Sequence, residues 1–137
     1  MVVDREKVEQ RLVKLEQSVR KLREIASQSW NEYSSSEALR DRAERNLQVA
    51  AQACIDIANH IIADKGFRTP LGYGESFTVL EQEGIIPLAL AEKMKMVAGF
   101  RNILVHDYLE IDNKIVYASL SSLDDFVQFA AHVHRLL

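Results

Sequence analysis

Residues 101–108 combine four polar side chains that could perform chemistry at the end of an apolar stretch: Arg101, Asn102, His106 and Tyr108. Arginine is a permanent cation that can hold a phosphate through two hydrogen bonds, and histidine as a residue type titrates near neutral pH. Metal-free cleavage of a phosphodiester needs these two groups most, because one stabilises negative charge and the other transfers a proton. The segment therefore offers Arg101 and His106 as candidates for this chemistry, with Asn102 beside the arginine.

The spacing of these residues limits how they can meet. Arg101 and His106 are five positions apart, which separates them by roughly 140° around an ideal helix. Either the helix ends near Val105 and the histidine turns round, or both side chains reach a cleft that a second subunit completes. The second arrangement predicts a two-fold homodimer.

The elements that must position this segment are predicted to be helices. Apolar residues recur at alternating spacings of four and three, and only two prolines and five glycines interrupt the 137 residues. Small residues fill much of the second long helix, which would let a neighbouring helix, including one from a partner subunit, approach closely. The predicted elements are a helix over residues 4–28, a turn with a helix N-cap over 29–36, helices over 37–63, 75–83 and from 87 to about 101, and a last helix after 112 that is irregular at Ser121 and Ser122.

The composition predicts a single all-α domain over residues 1–137, built as an antiparallel four-helix bundle with an additional short helix. Hydrophobic residues make up 47% and charged residues 27% of the chain, and the net charge is −3. A bulk positive field for nucleic acid is therefore absent, so any RNA contact requires a local cleft, to which Arg42 or Arg45 could contribute. The only cysteine, Cys54, is expected to be a buried hydrophobe.

The same features predict where the protein works. One cysteine forms no intrachain disulfide, and no uninterrupted apolar run approaches the roughly 20 residues that a membrane helix needs. The first residues also lack the pattern of a signal peptide. We expect a cytoplasmic protein without a membrane partner.

Asp56 is a second candidate for the site. With His60 it has the i, i+4 spacing of two metal ligands, but no third ligand converges with them, so neither a metal nor another cofactor is expected. A polar residue on the inner face of a bundle more often pairs with a neighbour. Two interpretations of Asp56 follow: it steadies Arg101 from a facing helix, or it simply pairs with a neighbouring residue.

The chain resembles the HepT-type toxins of the HEPN superfamily. Arg101, His106 and Tyr108 reproduce the R-X4-H-X-Y signature of that family, with Asn102 directly after the arginine. The resemblance is clearest from Glu37 to Phe129. Its flanking segments are Pro70 to Phe77, Gly84 to Pro87, Ala98 to Phe100, Glu110 to Asp112, and Val116 with Tyr117.

The resemblance implies a function and partners. HepT-like proteins are metal-independent ribonucleases that place two motifs in one dimer cleft, and they are the toxins of type VII-like toxin–antitoxin pairs. The antitoxin is a small nucleotidyltransferase that can transfer AMP to the motif tyrosine, which here is Tyr108. The family assigns catalysis to the motif arginine and histidine, here Arg101 and His106. The alternative is a non-catalytic HEPN binding module that partners a nucleotidyltransferase.

Overall fold

A computed structural model describes residues 4–106 and 111–137, and these residues form helices joined by short turns and loops, with no β-strand among them. The helical bundle that the sequence predicts is therefore confirmed. The elements are α1 (Arg5–Ala26), α2 (Trp30–Ser34), α3 (Glu37–Lys65), α4 (Tyr73–Gln82), α5 (Leu88–Val105), α6 (Asn113–Ser119), a 3₁₀ turn (Leu120–Ser122) and α7 (Asp124–His134).

Helices α1 and α3 form an antiparallel pair along the length of the molecule. The backbone N–H of Asp4 donates to the Asp64 carboxylate at 2.7 Å, which joins the start of α1 to the end of α3. Near the other end, Arg42 of α3 pairs with Glu24 of α1 at 3.4 Å. The apolar seam of α1 faces this partner and is buried at Val8, Leu12, Leu15, Val19 and Leu22. The heptad spacing thus predicted the packed face correctly.

Helix α3 is the centre of the bundle and packs against α1, α4 and α5. Its predicted seam is buried at Leu47, Ala50, Cys54, Ile57 and Ile61. Cys54 is fully enclosed, and burial raises the pKa of its thiol, as expected for an inert core cysteine. The small residues of α3 are used within the chain, so they give no support to the predicted homodimer.

The ends of α3 follow local signals in the sequence. The Ser36 hydroxyl accepts from the backbone N–H of Leu39, which is the predicted N-cap. Gly66 ends the helix with a φ of 68°, a left-handed conformation that glycine adopts without steric cost. The helix runs two residues beyond the predicted end at Ala63, because the glycine and not the preceding Asp64 sets the stop.

The turn predicted over residues 29–36 is wrong in part, because a short helix, α2, occupies most of it. Ser29 accepts from the backbone N–H of Glu32 at 3.1 Å, and the Glu32 carboxylate accepts from the Ser29 N–H at 3.2 Å. This reciprocal pair is a capping box, which satisfies two backbone donors and allows a single helical turn to form.

An aromatic cluster formed by Trp30, Tyr33 and Tyr117 closes this end of the core, with ring centroids 5.1–6.1 Å apart. The Tyr117 hydroxyl donates to the Gln28 carbonyl at 2.7 Å. The Tyr33 hydroxyl is buried and has no hydrogen-bond partner among the described residues. Burial, reinforced by the Glu44 carboxylate, raises the pKa of Tyr33 to about 12.

The last predicted helix is divided at its serines. Ser119 donates its hydroxyl to the Val116 carbonyl at 2.6 Å, and Ser121 donates to the Ala118 carbonyl at 2.7 Å. These side chains compete for backbone acceptors and favour the 3₁₀ turn between α6 and α7. The predicted irregularity is therefore confirmed, but it separates two α-helices. Asp112 caps the first of them by accepting from the Lys114 N–H.

Helix α5 carries the predicted catalytic arginine and packs against α4, α3 and α7. Its inner face is buried at Leu90, Ala91, Met94 and Ala98, whereas its outer face is largely exposed. Pro87 lies at the N-cap position, one residue before the helical turn in which it was expected. Within the described residues, no helix is long and apolar enough to cross a membrane.

Candidate functional site

The candidate site begins at the C-terminal end of α5. The last helical residue is Val105, and the backbone N–H of His106 caps the helix by donating to the Asn102 carbonyl at 3.0 Å. His106 has φ −104° and ψ 17°, outside the helical region, and it is exposed. The helix thus ends at Val105, as required by the predicted arrangement in which the histidine turns round. The position of the imidazole is therefore not set by the helical spacing of about 100° per residue.

Arg101 lies one turn earlier and is held more firmly. It is half-buried, and its Nη1 donates to the Asn102 Oδ1 at 3.2 Å. Phe100 and Leu104 on either side pack against the core and fix this part of the helix. Asn102 thus contacts Arg101 through its side chain, whereas its bond to His106 involves only backbone atoms, and its supporting role stays a prediction.

Arg101 borders a groove of about 380 Å³ between three helices, which we call the α1–α3 groove. Helix α1 provides one wall, α3 the floor and the other wall, and α5 the arginine. The lining residues are Gln10, Arg11, Lys14, Arg45, Gln48, Val49, Gln52, Ala53, Asp56 and Arg101. Eight of the ten are polar or charged, so the groove offers many hydrogen-bonding groups to a ligand.

The groove is strongly cationic although the whole chain is acidic. Its described lining contains four permanent cations, namely Arg11, Lys14, Arg45 and Arg101, and a single carboxylate, that of Asp56. A concave wall of one charge focuses the local field, so an anion is attracted here despite the net charge of −3. The chain therefore has a local cationic groove although its overall charge is negative.

Asp56 lines the same groove as Arg101 and organises its neighbours. Its Oδ1 accepts from the Gln52 amide at 2.8 Å, and its Oδ2 lies 3.6 Å from the Arg11 Nε. The described contacts of this carboxylate therefore go to α1 and α3. Its proposed action on Arg101 stays a prediction.

The two arginines that the sequence offered for a cleft differ in position. Arg45 lines the α1–α3 groove, whereas Arg42, three residues earlier, is not among the lining residues and pairs with Glu24. The sequence reasoning missed Arg11 and Lys14 because α1 reads as an evenly charged, solvated helix. Their i, i+3 spacing would have placed them on one face, but no local signal says that this face borders an open groove.

The remaining predicted groups are not all brought together. His106 is not among the described residues that line the groove, and Tyr108 lies outside the described residues. The described part of the chain contains no cluster of three or more His, Cys, Asp or Glu side chains that could hold a metal ion. Of the predicted site residues that the structure describes, Arg101 and Asp56 line the groove, Asn102 contacts Arg101, and His106 is outside the lining.

The chain matches the HepT-like family, described as ribonuclease HepT-like, over residues 15–133. It belongs to this family. A curated relative from Shewanella oneidensis, named mRNA nuclease HepT, is 41% identical over 92 residues, or 66% of this chain and 69% of the relative. A second relative, the tRNA nuclease HepT of Aphanizomenon flos-aquae, is 32% identical over 95% of this HepT-like chain and 89% of its own length.

Solved structures agree with the sequence matches. The HepT-like chain superposes with a TM-score of 0.86 and 30% identity on a tri-AMPylated Shewanella oneidensis HEPN toxin in complex with an MNT antitoxin. The match covers 93% of this chain and 96% of the toxin chain. The resemblance stated from the motif and its flanking segments is therefore confirmed at the level of family and fold.

Proposed function

We propose that this HepT-like chain is the toxin of a type VII-like toxin–antitoxin pair and acts as a metal-independent endoribonuclease. The nuclease names of its relatives and the toxin–antitoxin complexes of its structural neighbours support this class. The single observation that carries the proposal is the half-buried Arg101 at a cationic groove, followed by an exposed His106 at the end of the same helix. An open basic groove at the motif favours the nuclease over the non-catalytic binding module.

The chemistry follows from the two side chains. Neutral His106 accepts the proton of a ribose 2′-hydroxyl, whose oxygen then attacks the adjacent phosphorus. Arg101 holds the phosphate with two N–H donors and stabilises the added negative charge of the transition state. The P–O5′ bond breaks, and the departing O5′ takes up a proton, either the one that His106 accepted or one from water. The products are a 2′,3′-cyclic phosphate and a 5′-hydroxyl. RNA supplies its own nucleophile, so the reaction requires no metal ion.

The test is cleavage of RNA by purified variants in the presence of EDTA. His106→Ala and Arg101→Ala should each lower the cleavage rate by roughly 100-fold or more, the usual contribution of a proton-transfer group. His134→Ala is the matched control, because His134 is an exposed histidine that pairs with Glu16 far along the chain. Cleavage that stops with EDTA, or that persists in the His106 variant, contradicts the mechanism.

We propose that the active form is a homodimer formed through the outer face of α5. Leu88, Met96 and Ile103 are 60%, 75% and 58% exposed and recur at spacings of eight and seven, which aligns them in one row. Gly99 in this row has open space where a Cβ would lie, which allows close approach of another helix. A two-fold axis beside this row would bring the C-terminal ends of the two α5 helices, and with them both copies of His106, close together.

Charged substitutions in the exposed row test the dimer. Met96→Asp and Ile103→Asp should each convert the dimer to a monomer in sedimentation, because an interface of roughly 800 Å² per subunit tolerates no buried unpaired charge. Val13→Asp, at an equally exposed apolar position on α1, should leave the dimer unchanged. A monomeric wild type at tens of micromolar contradicts the proposal.

We further propose that a partner nucleotidyltransferase silences the toxin at Tyr108. The phenol oxygen would attack the α-phosphorus of ATP, forming a phosphodiester to AMP and releasing pyrophosphate. The added phosphate would compete with RNA for Arg101. Incubation with the partner and ATP should raise the intact mass by one or more AMP units and remove cleavage, and Tyr108→Phe should resist both effects. Full silencing of the Phe variant without a mass change would show inhibition by binding alone.

A further inference from the structure

We infer that the α1–α3 groove holds a second backbone phosphate of the RNA, on Lys14 and Arg45, beside the phosphate assigned to Arg101. This inference rests on the proposed nuclease function, because it names how the same site grips its substrate. The two residues come from different helices and face one groove, so neither helix alone predicts the site.

The first argument is the state of the two cations. Within the described part of the chain, neither Lys14 nor Arg45 has an ion-pair partner, although both border the groove. Arg42 lies less than one turn before Arg45 on the same helix and is paired with Glu24. In the described part of the chain, the cation outside the groove lining is therefore neutralised, whereas Lys14 and Arg45 are left available to an anion from outside.

The second argument is the supply of hydrogen-bonding groups between the cations. Gln48 and Gln52 lie in the groove, and the Gln52 Oε1 is buried without a hydrogen-bond partner among the described residues. The Arg11 Nε also has no hydrogen bond among these residues, but it is paired with the Asp56 carboxylate at 3.6 Å. An amide carbonyl can accept from a ribose hydroxyl or a base amino group, and an arginine can donate to a phosphate. Such orphaned groups are costly unless a ligand satisfies them.

The third argument is the length of the groove. Arg45, Gln48, Gln52 and Asp56 follow one face of α3 and span 11 residues, which corresponds to roughly 16 Å along the helix axis. One strand of a nucleic acid duplex advances about 3.4 Å per nucleotide, so the groove accommodates several nucleotides. An elongated surface with spaced cations and amides fits a polynucleotide backbone better than a single mononucleotide.

The experiment measures binding without cleavage. The full-length protein is titrated into a fluorescently labelled single-stranded RNA whose 2′-hydroxyls are all O-methylated, so that the attacking nucleophile is blocked. Lys14→Ala and Arg45→Ala should each weaken binding about threefold, the double variant about tenfold, and the slope of log K against log salt should fall by about 0.7 for each lost phosphate contact. Arg42→Ala is the matched control and should bind as the wild type does, and Arg45→Lys should retain most of the affinity.

Several outcomes overturn the inference. It is wrong if the wild type does not bind the probe, if the Arg45 variant behaves as the Arg42 control does, or if the salt slope is unchanged. It is also wrong if the double variant keeps RNA affinity but loses the nucleotidyltransferase partner, because the groove is then a protein interface. Failure of the nuclease proposal is distinguishable, since an inactive protein that binds the probe through Lys14 and Arg45 still supports the phosphate site.

Discussion

The α1–α3 groove and the aromatic cluster of Trp30, Tyr33 and Tyr117 each contain a polar atom that is buried without a partner in the described residues. In the groove it is the Gln52 carbonyl oxygen, and in the cluster it is the Tyr33 hydroxyl. The groove is open and bordered by cations from three helices, whereas the cluster is closed by aromatic rings. An orphaned polar atom therefore indicates a binding site only where a ligand can reach it and complementary charge surrounds it.

The largest expected effects come from one substitution in each region: the change in the aromatic cluster should lower stability, and the change at the groove should lower RNA cleavage. Tyr33→Ala empties a fully buried aromatic site and should cost about 3–5 kcal/mol of unfolding free energy. Arg101→Ala should change stability by about 1 kcal/mol or less while removing cleavage, because arginine at the groove serves the ligand. Denaturant titration and cleavage rates per folded molecule measure both quantities.

Two results would contradict the assignment of stability to the aromatic cluster and of cleavage to the groove. If the Tyr33 variant, assayed at a temperature where it is fully folded, loses cleavage as severely as the Arg101 variant, the aromatic cluster belongs to the active site. A large loss of stability in Arg101→Ala would equally show that this arginine holds the fold.

Removal of single hydroxyls sharpens the comparison within the aromatic cluster. Tyr117→Phe should cost about 1 kcal/mol, because it deletes the hydrogen bond to the Gln28 carbonyl. Tyr33→Phe keeps the buried ring and deletes a hydroxyl that has no partner in the described residues, so it should be neutral or stabilising by up to about 1 kcal/mol. Equal losses in the two variants, by urea denaturation, would mean that the Tyr33 hydroxyl has a partner.

Alkaline pH offers a third test, which again concerns Tyr33. Its pKa is raised from the ordinary value of 10 to about 12, so the folded state holds the phenol proton more tightly than the unfolded chain does. This contribution to stability is complete below pH 10 and is lost as the pH rises from 10 to 12. Two pKa units correspond to at most about 2–3 kcal/mol. Tyr33→Phe should flatten the fall in stability over this range, whereas Tyr117→Phe should follow the wild type.

The smallest expected effect concerns the groove carboxylate. Asp56→Asn removes the negative charge and keeps the side-chain shape, so binding of the O-methylated RNA should tighten by about twofold, as expected for a partly solvated charge near a phosphate. Anisotropy titration at constant salt measures this change, with Asp41→Asn, at an exposed position of α3, as the control. Weaker binding would show that Asp56 positions Arg11 and Gln52 for the ligand.

Much of the fold was predictable because its signals are local. A few neighbouring residues are enough to specify each of three features, namely the apolar seam of α1, the Ser36 N-cap of α3 and the end of α3 at Gly66. Helix α2 was missed although its signal was present, since Ser29 and Glu32 have the spacing of a capping box. The run of serines that follows, at residues 34–36, is a strong turn signal and obscures this capping box in the sequence.

The site was predictable only in part, because a groove depends on how helices pack. The motif named Arg101 and His106, and the charge run on α3 offered Arg45 together with Arg42. The antiparallel pairing of α1 with α3 decides which of these two arginines borders the groove, because it places Glu24 where it neutralises Arg42. That information is distributed over residues 18 positions apart and has no local signature.

Helix α5 carries the exposed apolar row and Arg101 and ends directly before His106, and this combination would set a dosage threshold for the proposed toxin. If cleavage needs two copies, then below the dimer dissociation constant the population of active sites falls with the square of the toxin concentration. A few stray molecules would therefore be harmless, whereas a modest rise in expression would produce a disproportionate rise in activity. The same helix would then contribute to catalysis and also determine the toxin concentration at which cleavage begins.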